Sequence, residues 1–118
     1  MTHAEWLRER TPPPPASLVA CVEGALAEDG RRDASRPEAF VDASCVLLRR
    51  VLAGPVASRA GALALLAADA CITYAFEATA GDPSRVAAVA AHANRCIGQV
   101  AAAFPALAMG TLAPAGPS

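Results

Sequence analysis

The stretch that decides the fold is residues 58–81, which read SRAGALALLAADACITYAFEATAG. It opens with Ser58, a residue type that caps helix N-termini, and it closes with Gly81, which suits a helix C-terminus. Alanine and leucine between them favour helix, and the alternation of apolar and polar residues that marks a strand does not occur. The pattern predicts one long helix to Ala80 that is apolar on nearly every side.

Helix start and stop signals also divide the remainder of the chain. Thr2 followed by Glu5 forms a capping-box pattern, and Ser35 followed by Glu38 forms a second. The prolines at 12–15 exclude helix there and predict an extended linker. The predicted helices cover residues 2–10, 16–29, 35–53, 58–80 and 82–104.

Short connections between long helices are typical of antiparallel neighbours. We therefore expect an all-α fold, an up-down four-helix bundle with a short extra N-terminal helix. The expected organisation is a short helix and proline linker in residues 1–15, the four-helix bundle in residues 16–105 and a flexible C-terminal tail in residues 106–118.

Composition limits the function classes that fit this chain. The 118 residues are 54% hydrophobic and 18% charged, with a formal net charge of −1. Such a chain is not intrinsically disordered, and it lacks the basic field with which proteins bind nucleic acid. All ten basic residues are arginine, a bias typical of a GC-rich bacterial genome. The first ten residues lack the apolar segment of a signal peptide, so we expect a cytoplasmic protein.

The predicted third helix carries a stripe made only of small residues, which would let another helix approach at the close end of the usual ~8–10 Å range. Residues 1–59 hold 16 charged side chains, whereas residues 60–118 hold five. The helices of the second half therefore have too few charged residues for each to present a polar face to solvent. We expect self-association or another helical partner at this stripe. Its residues are Ala60, Ala64, Ala67, Ala68, Cys71, Ala75 and Ala78.

The same helix raises the question of a membrane span, because Asp69 alone interrupts the apolar run over residues 60–76. An acidic residue at the centre of a span costs roughly 2.5–3.5 kcal/mol, and no aromatic belt or basic cluster flanks the run. We therefore expect a buried helix and no membrane span.

Asp69, Thr73 and Glu77 form a polar stripe on that helix, at positions i, i+4 and i+8. The favoured interpretation is a solvated edge of the helix. The alternative is a polar line inside the bundle, where the carboxylates would serve as acid, base or metal ligands. The sequence leaves the burial of this stripe open.

His92 and Cys96 stand at i and i+4 on the predicted last helix, so that both lie on one face and could hold a soft metal. Two ligands are too few for a site, and buried cysteine is more often a small apolar residue than a ligand. The four cysteines have no close pair in the sequence, and we expect four free thiols.

The sequence around His92 resembles that of histidine phosphotransfer domains. These domains are four-helix bundles with one exposed histidine and a basic residue three positions later, where this chain has Arg95. The chain departs from them at the next position, which holds Cys96 where those domains usually have glycine. The resemblance implies a phosphotransfer-like surface at His92.

Enzyme motifs such as a glycine-rich phosphate loop or Gly-x-Ser-x-Gly do not occur. We therefore expect a non-enzymatic protein without a cofactor, which acts by self-association or partner binding through its third helix. Trp6 and Leu7, at the end of a proline linker, are expected to dock on a neighbouring subunit. The alternatives are a bundle that binds a metal or small ligand between its helices and the phosphotransfer-like surface at His92.

Overall fold

The computed structural model describes residues 1–31, 33–55 and 57–104. These residues form a packed all-helical structure, as the sequence predicts, and they contain no strand. The five helices are α1 (His3–Arg8), α2 (Ala16–Asp29), α3 (Arg36–Ala53), α4 (Arg59–Glu77) and α5 (Pro83–Ala103).

Local capping contacts set most of the helix boundaries. Thr2 and Glu5 form the complete capping box at the start of α1. The Ser35 side chain accepts a hydrogen bond from the Glu38 backbone N–H at the start of α3. Gly30 ends α2 in the left-handed conformation, with a φ of 71° that glycine adopts without steric cost. These short-range contacts explain why the sequence predicted the boundaries well.

The end of α4 differs from its prediction, because the helix stops at Glu77 and not at Ala80. The buried hydroxyl of Thr79 donates to the carbonyl of Phe76 at 2.6 Å and accepts the Gly81 backbone N–H at 3.4 Å. This side chain competes with the helical hydrogen bonds. Ala80 and Gly81 then turn the chain with positive φ values of 54° and 78°.

The centre of the molecule is α3, which contacts α2, α4 and α5. Its residues 39–45 are all buried. Seven consecutive residues point in every direction around a helix, so this part of α3 is covered on all sides. This outcome differs from the expectation that the third long helix, α4, is the one apolar nearly all round and buried.

The small residues of α4 pack within the chain. Ala64, Ala67, Ala68, Cys71 and Ala75 are all buried in the core, whereas Ala60 is exposed and Ala78 half-buried. The main partner of α4 is α3, and the Ser44 hydroxyl of α3 donates to the Ala68 carbonyl at 2.9 Å.

The five buried residues of this stripe therefore hold two helices of one chain together. In this conformation their side chains are covered by residues of the same chain.

The opposite face of α4 is open to solvent. Leu65 is 52% exposed and Leu66 is 65% exposed. Among the helices that the structure describes, only α4 is long and apolar enough to cross a membrane, a property that core helices of soluble proteins share. Asp69, near its middle, is exposed on this same outer side.

The N-terminal helix docks on its own chain. Leu7 is buried in the core, and the Trp6 ring lies 5.4 Å from Phe40 and 6.2 Å from Tyr74, measured between centroids. Trp6 and Leu7, which were expected to reach a neighbouring subunit, instead contact their own chain in this conformation, because the linker folds α1 back onto α2, α3 and α4. The expected C-terminal tail, residues 106–118, lies outside the described residues.

Candidate metal centre

The site begins with Asp42 on the central helix. The hydrophobic pattern of α3 assigns Asp42 to the solvent side, yet its side chain is only 8% exposed. It is buried because three helices surround α3, and a buried carboxylate needs partners that replace water. Those partners are Arg31, from the connection after α2, and His92 of α5.

His92 and Cys96 approach Asp42 from α5. The pattern of α5 assigns His92 to the solvent side, but its side chain is only 16% exposed. Val86 and Ile97, which the same pattern assigns to the core, are 36% and 43% exposed. The helix is therefore rotated so that the i, i+4 pair of His92 and Cys96 faces α3.

Three potential ligand atoms converge between the two helices. The Nε2 atom of His92 lies 2.8 Å from Oδ1 of Asp42, and the Sγ atom of Cys96 lies 3.7 Å from each of these atoms. In a tetrahedral Zn²⁺ site, ordinary bond lengths place a ligand nitrogen and oxygen about 3.3 Å apart and a sulfur about 3.5 Å from either. The triangle fits a metal ion if its nitrogen–oxygen edge opens by about half an ångström.

Arg31 orients the carboxylate from outside the triangle. Its guanidinium donates to Oδ2 of Asp42 at 2.6 Å, and it also lies 3.4 Å from the Glu38 carboxylate. Because Oδ2 is engaged there, Oδ1 is the oxygen directed at His92 and Cys96. Partners of this kind hold ligating carboxylates in place in metal sites.

A second thiol lies beside the triangle. Cys45, one turn after Asp42 on α3, is buried, and the Cys96 thiol lies near it. Burial, with the Cys96 thiol beside it, raises the pKa of Cys45 to about 12. Burial and then the Asp42 carboxylate raise the pKa of Cys96. Both thiols are thus protonated at neutral pH, and a metal ion would have to displace the Cys96 proton.

The sequence identified two of the three residues of this triangle, His92 and Cys96, and missed Asp42. The polar stripe that was the other candidate is elsewhere, since Asp69, Thr73 and Glu77 are all exposed on α4. This placement answers the open question of their burial in favour of a solvated edge.

The remaining thiols lie apart from the triangle. All four cysteines are free. The thiol near the buried Cys71 of α4 is that of Cys21 on α2. His92, half-buried and held at Nε2 by Asp42, is placed differently from the exposed histidine of a phosphotransfer domain.

No protein-family model, curated protein or solved structure matches the chain. Function is therefore inferred from the residues of the site.

Proposed function

We propose that this protein binds a metal ion, Zn²⁺ by ligand preference, between α3 and α5. The observation that carries the proposal is the convergence of one oxygen, one nitrogen and one sulfur atom within 4.8 Å of one another, from Asp42, His92 and Cys96. The residues lie on two helices fifty positions apart in sequence. A bound ion would fasten α5 to the central helix.

The donor set favours zinc over the hard cations. Ca²⁺ and Mg²⁺ take oxygen ligands, whereas thiolate and imidazole together suit Zn²⁺ and other borderline or soft transition metals. Three protein ligands leave one tetrahedral position for water, for a small ligand or for the neighbouring Cys45 thiol.

The order of the contacts supports α3 and α5 lying side by side and running in the same direction. Residues 36–38 of α3 share a cavity with Arg85, and Asp42 meets His92 further along both helices. Ser44 meets Ala68 and Phe40 meets Tyr74, which supports opposite directions for α3 and α4. These registers favour an up-down order for α3, α4 and α5.

The test is titration of the reduced, metal-free protein with Co²⁺, followed by competition with Zn²⁺. We expect absorption bands of tetrahedral cobalt, a thiolate-to-metal charge-transfer band and one ion bound per chain. His92→Ala and Cys96→Ser should each weaken binding by more than about 100-fold, since even supporting residues outside the ligand set contribute 10–100-fold. Cys21→Ala is the matched control, because Cys21 lies outside the triangle, and it should retain the affinity within about threefold.

The proposal is wrong if cobalt gives only the spectrum of the free hexaaqua ion. It is also wrong if Cys21→Ala reduces the charge-transfer band as much as Cys96→Ser does. Zinc should in addition raise the melting temperature, because a ligand at 100 times its Kd stabilises the folded state by about 2.7 kcal/mol.

A second candidate function is self-association, and the exposed face of α4 supports it. Leu65 and Leu66 are adjacent, more than half exposed and on a helix with few charged residues. Neighbouring apolar side chains of this kind are typical of contact surfaces. The interface proposed here is the Leu65 and Leu66 face, while the buried alanine stripe on the opposite side of α4 packs against α3.

Native mass spectrometry tests this second function. The unmodified protein should give a dimer or larger assembly, and Leu66→Glu should shift it to monomer. Gln99→Glu, a charge added at an exposed position of α5, serves as the control. A monomer at all concentrations would contradict self-association and leave metal binding unaffected.

A further inference from the structure

A cavity of about 550 Å³ lies beside the candidate metal centre, between the first turn of α3 and the N-terminal half of α5. Ligand-binding cavities commonly span about 300–1,000 Å³. Arg36 lines one side, Arg85 and Arg95 line the other, and the His92 ring forms part of the wall. Asp42 and Cys96 are not among its lining residues.

The charge of this cavity is unusual for the chain. The helix α5 carries only two charged side chains, Arg85 and Arg95, and both line the cavity. With Arg36 they contribute three positive charges, against one negative charge from Glu38. The lining therefore has a formal charge of +2, whereas the chain as a whole has a charge of −1.

Ion pairs neutralise little of this positive charge. Arg85 lies 3.8 Å from the exposed carboxylate of Asp82, a long contact at the helix start. Arg95 forms no ion pair with any residue in ranges 1–31, 33–55 or 57–104.

The third arginine is held by uncharged groups. The Arg36 guanidinium donates to the backbone carbonyls of Met1 and Thr2, at 3.2 Å each. These contacts fix its position and leave its charge in place. The only acid of the lining, Glu38, is itself shared with Arg31 outside the cavity.

We propose that this cavity binds the phosphate group of a small molecule. A phosphate monoester carries about −1.5 to −2 charges at neutral pH, which matches the +2 lining. Guanidinium groups present paired N–H donors that fit phosphate oxygens. Arg95 has no carboxylate partner among the described residues, and Arg85 has only the long contact with Asp82. The volume accommodates a phosphorylated molecule of sugar size. This site shares His92 with the proposed metal centre, but its arginines are not metal ligands, and neither Asp42 nor Cys96 lines it.

The experiment is a titration of the ¹⁵N-labelled, metal-free protein with inorganic phosphate at constant ionic strength, observed by amide chemical shifts. Saturable shifts are expected at Arg85, Ala88, His92 and Arg95. Arg85→Gln and Arg95→Gln should each weaken phosphate binding by about 10-fold or more, the loss of one charge-assisted hydrogen bond. Arg59→Gln is the matched control, because Arg59 is exposed at the start of α4 and does not line the cavity.

Three results would overturn the proposal. One is a change in amide chemical shift that grows linearly with phosphate concentration and is equally large with chloride, because such a change reports screening alone. Another is an equal affinity for acetate, which would remove the assignment to phosphate. The third is a loss in Arg59→Gln as large as that in Arg95→Gln. Cys96→Ser should bind phosphate like the unmodified chain but should no longer bind cobalt. This variant therefore distinguishes a failure of the phosphate proposal from a failure of the metal proposal.

Discussion

His92 on α5 lies 2.8 Å from Asp42 on α3, and the thiol of Cys96 lies at equal distances of 3.7 Å from both of the interacting atoms. The contact joins the central helix to the last helix through polar atoms, in a core that otherwise consists largely of alanine, valine and leucine. The position of α5 thus depends on a polar cluster as well as on apolar packing.

Asp42→Ala, in metal-free protein, should lower the free energy of unfolding by about 1–3 kcal/mol. The variant leaves the His92 ring half-buried without its acceptor and removes the Arg31 contact, and hydrogen bonds to charged groups contribute in this range. Urea denaturation followed by circular dichroism measures the change. Asp69→Ala, at the exposed middle of α4, should leave the midpoint nearly unchanged. Equal losses in the two variants would show that Asp42 has no special role.

Cys71 should resist alkylation as long as the protein is folded. Its side chain is fully buried, and burial raises its pKa to about 12. Only the thiolate reacts with iodoacetamide, and at pH 8 that form is a fraction of about 10⁻⁴ for such a pKa. Peptide mass spectrometry after a timed reaction should show Cys71 unmodified in buffer and modified in guanidinium. Modification of Cys71 in buffer at the rate seen in guanidinium would contradict the buried position.

His3 should make the fold sensitive to acid. Burial, and next the Arg36 guanidinium, lower its pKa below the usual 6.5. The unfolded chain therefore takes up a proton near pH 6.5 while the folded chain resists it, so stability is complete above that pH and falls as the pH decreases below it.

Denaturation midpoints measured from pH 7.5 to pH 5 test this prediction. His3→Gln should lose less stability over this window than the unmodified chain, because the variant has no proton to gain at that position. His92 is present in both proteins, so a difference between their slopes of denaturation midpoint against pH reports the contribution of His3. Parallel slopes would exclude the role of His3.

Phe40 should be among the residues on which the fold depends most. It is fully buried on α3 and contacts the rings of His3, Trp6 and Tyr74, which join α1 and α4 to the central helix. Phe40→Ala should cost about 3–5 kcal/mol, a large share of the stability of a small domain. Thermal unfolding measures this loss. Gln99→Ala, at an exposed position on α5, should stay within about 0.5 kcal/mol of the unmodified chain.

The boundaries of the helices could be predicted because their causes are local. The limits of α2, Ala16–Asp29, agree with the prediction, since a proline run precedes the helix and Gly30 follows it. At the end of α4 a single hydroxyl, that of Thr79, forms contacts that the sequence pattern did not indicate, and the helix is three residues shorter than predicted.

The site could be predicted only in part, because its causes are long-range. A helical wheel assigns polar residues to solvent, and it placed Asp42 and His92 there. Each of these residues faces inward because the other hydrogen-bonds it, and the two are fifty positions apart. The position of α3 at the centre likewise depends on which helices flank it. The strong apolar character of α4 predicts α4 as the buried helix instead.

The arrangement of α5 has a consequence for kinetics. It packs mainly on α3 and much less on α4, and it follows a turn in which Ala80 and Gly81 both adopt positive φ. A helix attached along one side, next to such a turn, can detach as a unit while α1 to α4 keep their common core. Exchange of an ion held between α3 and α5 would then proceed at the opening rate of one helix, and hydrogen exchange of the α5 amides would report the same rate.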